Sequence, residues 1–201
     1  NIILQRYLQN TRYVTDSVSN KERAKFVSMM DYFKKYSDQY DIDWLIMTAQ
    51  GYQESKLDQS VRSRVGAIGV MQVMPKTGKD MKVGDIRKIE PNIHAGIKYI
   101  RWMIDHYYQD APMTMLDKAL FAFASYNAGP GRITQMRRLA QSRGYDENRW
   151  FGNVEYIAAE KIGAETVTYV NNIYKYYIAY RLLTEHMAEK KKIQGALELQ
   201  P

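Results

Sequence analysis

A single carboxylate stands at the end of a segment whose composition suits burial. Residues 44–49 read WLIMTA and lead into the stretch YQESKLD, in which Glu54 is the first acidic side chain. Because the preceding residues are apolar on nearly every helical face, they are typical of a central helix. A carboxyl group at the end of such a helix loses water, which raises its pKa toward the value that a general acid needs near neutral pH. A lone glutamate is more often a surface charge, so position alone makes Glu54 a candidate acid and no more.

Glycoside cleavage normally needs a second carboxylate, which acts as the base or nucleophile. Asp58 lies one helical turn after Glu54 and would share nearly the same face if the helix continued. Glu165 is distant in the sequence and could meet Glu54 only through the fold. The residues alone leave both candidates open, and Asp58 is equally suited to a turn at the helix end.

The side chains that other reaction types need are scattered or missing. His94, His106 and His186 lack metal-binding spacing and the chain contains no cysteine, so we expect neither a metal site nor a cofactor. No serine stands in a G-x-S-x-G motif. The glycine-bearing residues 66–69 lack the Lys-Ser/Thr pair that a phosphate-binding loop requires.

The elements that must position Glu54 are predicted to be helices. Isoleucines at positions 93, 97, 100 and 104 form a one-face stripe, and capping boxes precede two further helices. No stretch alternates strictly between polar and apolar residues, although short strands within residues 65–73 stay an alternative. The fold class is therefore predicted to be all-α, one domain with at most a minor β element. Predicted helix starts are the capping box at residues 19–22, Trp44 after Asp43, Pro91, the capping box at residues 114–117, Pro130, Tyr156 and Ala164, with the last helix ending near residue 192.

Charge and composition limit the class of partner. The chain of 201 residues is 45% hydrophobic and carries a formal net charge of +7, which suits nucleic acid, anionic lipid or an acidic wall polymer as well as simple solubility. Arg132, Arg137, Arg138 and Arg143 lie on or near one helix but without a nucleic-acid-reading motif, so we expect a solvated face. No apolar run approaches the roughly 20 residues of a membrane-spanning helix. No signal peptide is visible, as expected equally of a mature or a truncated chain.

Two stretches break the helical periodicity. Residues 63–77, SRVGAIGVMQVMPKT, place glycines, a glutamine and a proline within an apolar run, and residues 125–131, SYNAGPG, end an apolar helix in a glycine turn. Apolar polypeptide of this kind forms either the wall of a cleft or a packed loop.

Four motifs in order carry a resemblance to a known family. YQESKLD, GVMQVMPKT, ASYNAGPG and ETVTYV resemble the motifs of soluble-type lytic transglycosylases, which are bacterial wall-cleaving enzymes with a goose-type lysozyme-like domain. The resemblance extends over approximately residues 41–180. The segments WFGNVEYIAAEKIG and YVNNIYKYYIAY are most similar to the catalytic domain of the membrane-bound lytic transglycosylase F group.

The resemblance implies a site with one catalytic carboxylate. It assigns Glu54 as the only acid and base, which leaves Asp58 as a turn residue. Val70 stands where the family often has leucine, and Arg64 stands where it often has proline, which affects the rim of the cleft rather than the acid. The substrate-binding residues implied by the family motifs are Ser63 beside the sugar N-acetyl group, Met71 and Gln72 on the cleft lining, Tyr126 and Asn127 on its floor, and Glu165 and Tyr169 on its far wall.

The family mechanism explains why one carboxylate suffices. The protonated glutamate donates to the oxygen between N-acetylmuramic acid and N-acetylglucosamine, and the muramic N-acetyl group assists at the anomeric carbon. The ionised glutamate then takes the proton of the muramic 6-hydroxyl, which closes to a 1,6-anhydro ring without water. Three alternatives stay open: a hydrolytic muramidase that uses Glu54, a silent wall-binding module, and a nucleic-acid-binding helical domain.

The resemblance also implies an arrangement of the chain and a location. We expect an N-terminal extension at residues 1–18, the lytic transglycosylase domain at residues 19–186 and a C-terminal tail at residues 187–201. The expected partner is the glycan strand of peptidoglycan in the bacterial periplasm or cell envelope. A further N-terminal domain and an export signal are expected in a longer protein, for which outer-membrane association is open.

Overall fold

The computed structural model of the protein describes residues 20–198, with side chains to residue 188. Within that range the chain is helical and contains no strand, because residues 62–73 form only the isolated bridges between Arg62 and Ile68 and between Ile68 and Val73. The all-α prediction is therefore confirmed. The helices are α1 (Asn20–Gln39), α2 (Trp44–Ser55), α3 (Pro75–Met81), α4 (Ile89–Tyr107), α5 (Met115–Ala128), α6 (Pro130–Ser142), α7 (Glu155–Ile162) and α8 (Ala164–Glu198).

Helix α2 is the central helix, as its composition predicts. It begins at Asp43, whose carboxylate accepts a hydrogen bond from Leu45 N at 2.8 Å, and it packs against both α1 and α8. Every residue from Ile46 to Tyr52 is buried, so no face of this segment meets solvent. The helix ends where Lys56 and Leu57 both adopt left-handed backbone angles, with φ of 58° and 55°. This uncommon pair turns the chain sharply out of the helix directly after Glu54.

Helix α4 supplies the opposite side of the core. The four isoleucines of the predicted stripe are all buried, which confirms the pattern. Gly96 faces the loop after α2, and a β-carbon there would lie 2.7 Å from the side chain of Met71. A glycine is therefore needed at this position for the loop to approach the helix.

Helix α5 begins at the predicted cap. Thr114 Oγ1 accepts from Asp117 N at 3.1 Å, while Asp117 Oδ1 accepts from Trp150 N at the same distance. The second bond connects α5 to a π-helical turn at Trp150–Val154, in which Gly152 has a φ of +72°. That turn was not predicted, because a five-residue segment with mixed backbone angles has no regular period.

Three other sequence predictions differ from the structure or fall outside it. Helix α3 was not predicted, because PKTGKDM is short and mostly polar. In the structure its Gly78 packs against Ile86. Helix α8 continues to Glu198, beyond the predicted end. The cap at Ser19 lies outside the described residues. The division into extension, domain and tail stays a prediction.

None of the helices of residues 20–198 is both long enough and apolar enough to cross a lipid bilayer.

Candidate active site

Glu54 lies in the last turn of α2, where α8 crosses it. Tyr169 of α8 donates its hydroxyl to Glu54 Oε1. One turn earlier on α2, the buried Gln50 donates from Nε2 to the Tyr169 hydroxyl oxygen at 3.4 Å. Within the described chain Glu54 Oε2 has no hydrogen-bond partner. One carboxylate oxygen is thus fixed and the other is available to a substrate.

The surroundings of Glu54 favour its protonated form. Burial raises the pKa of Glu54 from 4.5 to about 7, and the Tyr169 hydrogen bond opposes this rise because it stabilises the carboxylate. Burial and the nearby Glu54 charge raise the pKa of Tyr169, so this phenol stays a neutral donor. Near neutral pH the carboxyl group is therefore poised between its two states, which suits a group that must both donate and accept a proton.

The loop after α2 forms one wall beside Glu54. The Tyr126 hydroxyl, at the end of α5, donates to Met71 O at 2.8 Å and to Gln72 O at 3.3 Å. Gln72 has a φ of 46° and its side chain donates to Gly69 O at 2.9 Å. Burial raises the pKa of Tyr126, and the charge of Glu54 adds to the rise. The structure thus brings Met71, Gln72 and Tyr126 together, and Ser55, the residue after Glu54, donates its hydroxyl to Val70 O of the same loop at 2.9 Å.

Asn92 holds this loop from behind. The side chain is buried on α4, accepts from Met71 N at 2.8 Å, and donates to Ile68 O at 2.8 Å and to Ile86 O at 2.9 Å. Sequence analysis missed this residue. Its one signal was an amide directly before the isoleucine stripe, which is a costly place for a polar group unless it is fully hydrogen-bonded.

A cavity of about 430 Å³ opens on the far side of Tyr169. Asn127 is fixed there because Thr166 donates to its Oδ1 at 2.7 Å. Three predicted site residues, Asn127, Glu165 and Tyr169, thus share one cavity. Its full lining is Gln53, Asn127, Ala164, Glu165, Thr168 and Tyr169.

Ser63 and Asp58 form hydrogen bonds within their own loops. Ser63 Oγ accepts from Ala67 N at 2.9 Å, which closes the loop, and no hydrogen bond joins it to Glu54 within the described residues. Asp58 accepts from Ser60 N at 2.8 Å and from Ser60 Oγ at 2.6 Å. These bonds lower the pKa of Asp58, which therefore stays ionised in a turn. Asp58 is thus the turn residue that the resemblance implies.

Metal-binding clusters are absent from the part of the chain that the structure describes. No group of three or more His, Cys, Asp or Glu side chains converges there.

A family model described as Transglycosylase SLT domain matches residues 31–149. The chain is 31% identical over 179 residues to membrane-bound lytic murein transglycosylase F of Actinobacillus succinogenes, which covers 83% of this chain and 36% of that protein. It is 35% identical over 159 residues to the protein of the same name from Desulfosudis oleivorans, with 72% and 34% covered.

A solved structure agrees with these sequence matches. The 70 kDa soluble lytic transglycosylase SLT70 of Escherichia coli superposes with a TM-score of 0.57 at 29% identity, covering 77% of this chain and 24% of that chain. The lysozyme-like fold implied by the resemblance is thereby confirmed. The chain spans about a third of the length of the curated relatives named above. The family match covers more than half of the chain, and the chain therefore belongs to the transglycosylase SLT domain family.

Proposed function

We propose that this domain is a peptidoglycan lytic transglycosylase that cleaves the bond between N-acetylmuramic acid and N-acetylglucosamine. The observation that carries the proposal is the partly buried carboxyl group of Glu54, whose pKa is raised to about 7 and whose Oε1 accepts from the neutral Tyr169 phenol. The relatives that match most of the chain are named murein transglycosylases, which supports this substrate.

The first step is cleavage of the glycosidic bond. Protonated Glu54 gives its proton to the oxygen that leaves with N-acetylglucosamine, while the muramic N-acetyl oxygen forms a bond to the anomeric carbon. In the second step the Glu54 carboxylate removes the proton of the muramic 6-hydroxyl, and that oxygen displaces the N-acetyl oxygen. The ring closure is intramolecular, which favours it over attack by water. Glu54 ends protonated, ready for the next strand.

The binding surface has two parts on this proposal. Gln72 and Tyr126 form the loop side of the cleft, and Asn127 and Glu165 lie in the cavity beyond Tyr169. Met71 is fully buried behind that loop, where its side chain packs against Gly96. Ser63 is proposed as a binding residue from its position in the family motif alone. The second candidate is a hydrolytic muramidase, in which water takes the place of the 6-hydroxyl at the same carboxylate.

Digestion of purified sacculi tests the proposal. We expect muropeptides with 1,6-anhydro ends, which are lighter by one water than reducing ends and are separated by mass spectrometry. Reducing ends would instead assign a muramidase. A protein that binds sacculi without releasing muropeptides would be a silent wall-binding module.

Replacing Tyr169 by phenylalanine is expected to move the alkaline limb of the activity profile to higher pH. The Tyr169 hydroxyl lowers the pKa of Glu54. Its removal therefore raises that pKa, and Glu54 stays protonated up to a higher pH. We expect the maximal rate to fall less than about tenfold, since one hydrogen bond is lost and the ring remains. Rates of sacculus digestion across pH 5–9 check this, with Tyr156→Phe on α7 as a matched control. An alkaline limb that stays in place would contradict the role given to Tyr169.

Binding to sacculi is expected to weaken as salt rises. A groove of about 630 Å³ between α6 and α7 contains Arg132 and Arg138, neither of which forms an ion pair within residues 20–188, and peptidoglycan stems carry carboxylates. Changing both arginines to glutamine should weaken sacculus binding about threefold per residue and flatten the salt dependence. Pelleting assays at several salt concentrations measure this, with Lys79→Gln plus Lys88→Gln as the control of equal charge. If both double variants weaken sacculus binding equally, the binding depends on net charge alone and not on this groove.

The location follows from the same substrate. Peptidoglycan lies in the bacterial periplasm, so we place the domain in the cell envelope, within a longer protein like the relatives named membrane-bound. We also propose an additional domain before the described helices. Nucleic acid is not among the partners that we propose.

A further inference from the structure

Gln50 is a polar side chain inside the buried segment of α2. It is fully buried, and its Oε1 has no hydrogen-bond partner among the described residues. A buried carbonyl oxygen without a partner costs free energy, so an apolar side chain of similar length would suit the core better. The Nε2 atom of the same amide donates to the Tyr169 hydroxyl oxygen at 3.4 Å. Gln50 is thus a polar group that the core does not need, placed against the partner of Glu54.

The Tyr169 hydroxyl lies between Gln50 and Glu54. Its oxygen accepts from Gln50 Nε2, and its hydrogen is donated to Glu54 Oε1. A phenol can otherwise either donate to a carboxyl group or accept from one. The Gln50 N–H favours donation, because it already occupies the phenol oxygen and would compete there with a proton on Glu54. It also polarises the phenol O–H bond, which strengthens the donation to Glu54.

The direction of these two hydrogen bonds decides which oxygen of Glu54 carries the acid proton. Because Oε1 accepts from Tyr169, the proton of neutral Glu54 is placed on Oε2. Oε2 makes no hydrogen bond within residues 20–188, so it is the oxygen available to a substrate. If Tyr169 accepted instead, the proton would lie on Oε1, bonded to the phenol and out of reach of a glycosidic oxygen.

We propose that Gln50 is a positioning residue, which holds the Tyr169 hydroxyl in its donor direction and so keeps the proton of Glu54 on Oε2. This role rests on the proposed function, in which the glycosidic oxygen receives that proton. No hydrogen bond joins Gln50 to Glu54 in the part of the chain that the structure describes, so Gln50 acts through Tyr169. Gln50 therefore affects proton transfer at Glu54 but not the binding of the strand.

The titration of Glu54 is a direct readout of these bonds, because the titratable groups around it are neutral. Among the described residues, those that interact electrostatically with Glu54 are Tyr169 of α8 and Tyr126 of α5. Burial raises the pKa of both phenols well above their usual value, so neither titrates where Glu54 does. Gln50 carries no charge at any pH. A change at Gln50 that shifts the titration of Glu54 therefore acts through hydrogen bonds.

Titration of Glu54 by NMR tests the proposal without the reaction. The side-chain carboxyl carbons of glutamate are isotope-labelled, and the Glu54 signal is the one that Glu54→Gln lacks. We expect Gln50→Met to raise the pKa of Glu54 by about half a pH unit, because Tyr169 then donates more weakly and the proton can also occupy Oε1. Thr48→Val is the matched control, since Thr48 is buried on the same helix and donates to Trp44 O, and it should leave the pKa unchanged.

A double variant separates positioning from a general effect on the fold. Tyr169→Phe removes the hydroxyl through which Gln50 acts, so adding Gln50→Met to it should raise the pKa of Glu54 no further. Gln50→Met should keep or raise the melting temperature, because it removes a buried oxygen without a partner. An unchanged pKa of Glu54 in Gln50→Met would overturn the proposal, as would effects of the two substitutions that add in full.

Sacculus digestion supplies a second readout, which separates this proposal from the proposed function. Below the pKa of Glu54, Gln50→Met should be slower by about threefold at an unchanged KM, since part of the protein carries its proton on Oε1. If the NMR shift appears but the parent protein releases no muropeptide, Gln50 still positions the proton of Glu54 and only the proposed reaction fails. If muropeptides are released and the NMR shift is absent, the reaction stands and the role of Gln50 fails.

Discussion

Replacing Glu54 by glutamine is expected to lower the rate of sacculus cleavage by at least about 10³-fold, because one group supplies both the acid and the base. Glutamine keeps the shape of the side chain and can still accept from Tyr169, so the cleft should persist while proton transfer is lost. Release of soluble muropeptides, followed by mass spectrometry, measures the effect. Asp58→Asn is the matched control, since Asp58 is bonded to Ser60 in a turn and should affect the rate little. Activity that survives in Glu54→Gln would remove Glu54 from the mechanism.

The same substitution should stabilise the domain at alkaline pH. The pKa of Glu54 is raised from 4.5 to about 7 on folding, so the folded protein binds more protons than the unfolded chain between these values. The stability of the wild-type protein therefore falls as pH rises through that window, by an amount of about 3 kcal/mol. Glutamine does not titrate, so Glu54→Gln should be more stable by a similar amount above pH 7 and by nothing below pH 4.5. Urea unfolding at pH 4 and pH 8 measures the difference, and an equal change at both values would contradict the raised pKa.

Replacing Asn92 by alanine is expected to lower the free energy of unfolding by about 3 kcal/mol or more. The substitution leaves the buried Met71 N without its partner and removes one of the two donors to each of Ile68 O and Ile86 O. The cleft loop carries Met71 and Gln72, so cleavage should fall as well, although Asn92 contacts no reacting group. Asn172 on α8 makes no side-chain hydrogen bond within the described residues, and Asn172→Ala should change the stability by less than about 0.5 kcal/mol.

Guanidinium unfolding and sacculus digestion check this prediction together. If Asn92→Ala unfolds at the same denaturant concentration as Asn172→Ala, the three hydrogen bonds contribute nothing and the loop must be held by packing alone. A stable variant that is slow in digestion would instead indicate that Asn92 positions the loop without contributing to the stability of the whole domain.

Helices with local signals were predictable from the sequence. The start of α2 at Asp43 and the cap of α5 at Thr114 depend on residues within one turn, and the isoleucine stripe of α4 repeats at a fixed period. Helix α3 has Pro75 at its first position but no apolar period after it, and it depends on Gly78 packing against Ile86, which the sequence does not bring together. Local physics thus predicts elements whose cues are local, and tertiary packing decides the others.

The candidate site was likewise predictable from the sequence only in part. The apolar run before Glu54 predicted a partly buried carboxyl group, and the family motifs supplied its neighbours. The residues alone could not distinguish Asp58 from Glu165 as a second carboxylate, since the Ser60 bonds of Asp58 and the distance of Glu165 are properties of the fold. The contacts of Asn92 and Gln50 were not predicted, because a buried amide gives no signal of its partners before the chain is folded.

The contact between Tyr169 and Glu54 has a consequence for the timing of activity. During synthesis Glu54 leaves the ribosome long before Tyr169, and α8 is the last of the described helices to be made. Until α8 packs on α2, Glu54 is a hydrated carboxylate that is ionised at neutral pH and has no proton to give. On the proposed function, we therefore expect a nascent or clipped domain that lacks α8 to be unable to protonate a glycan strand.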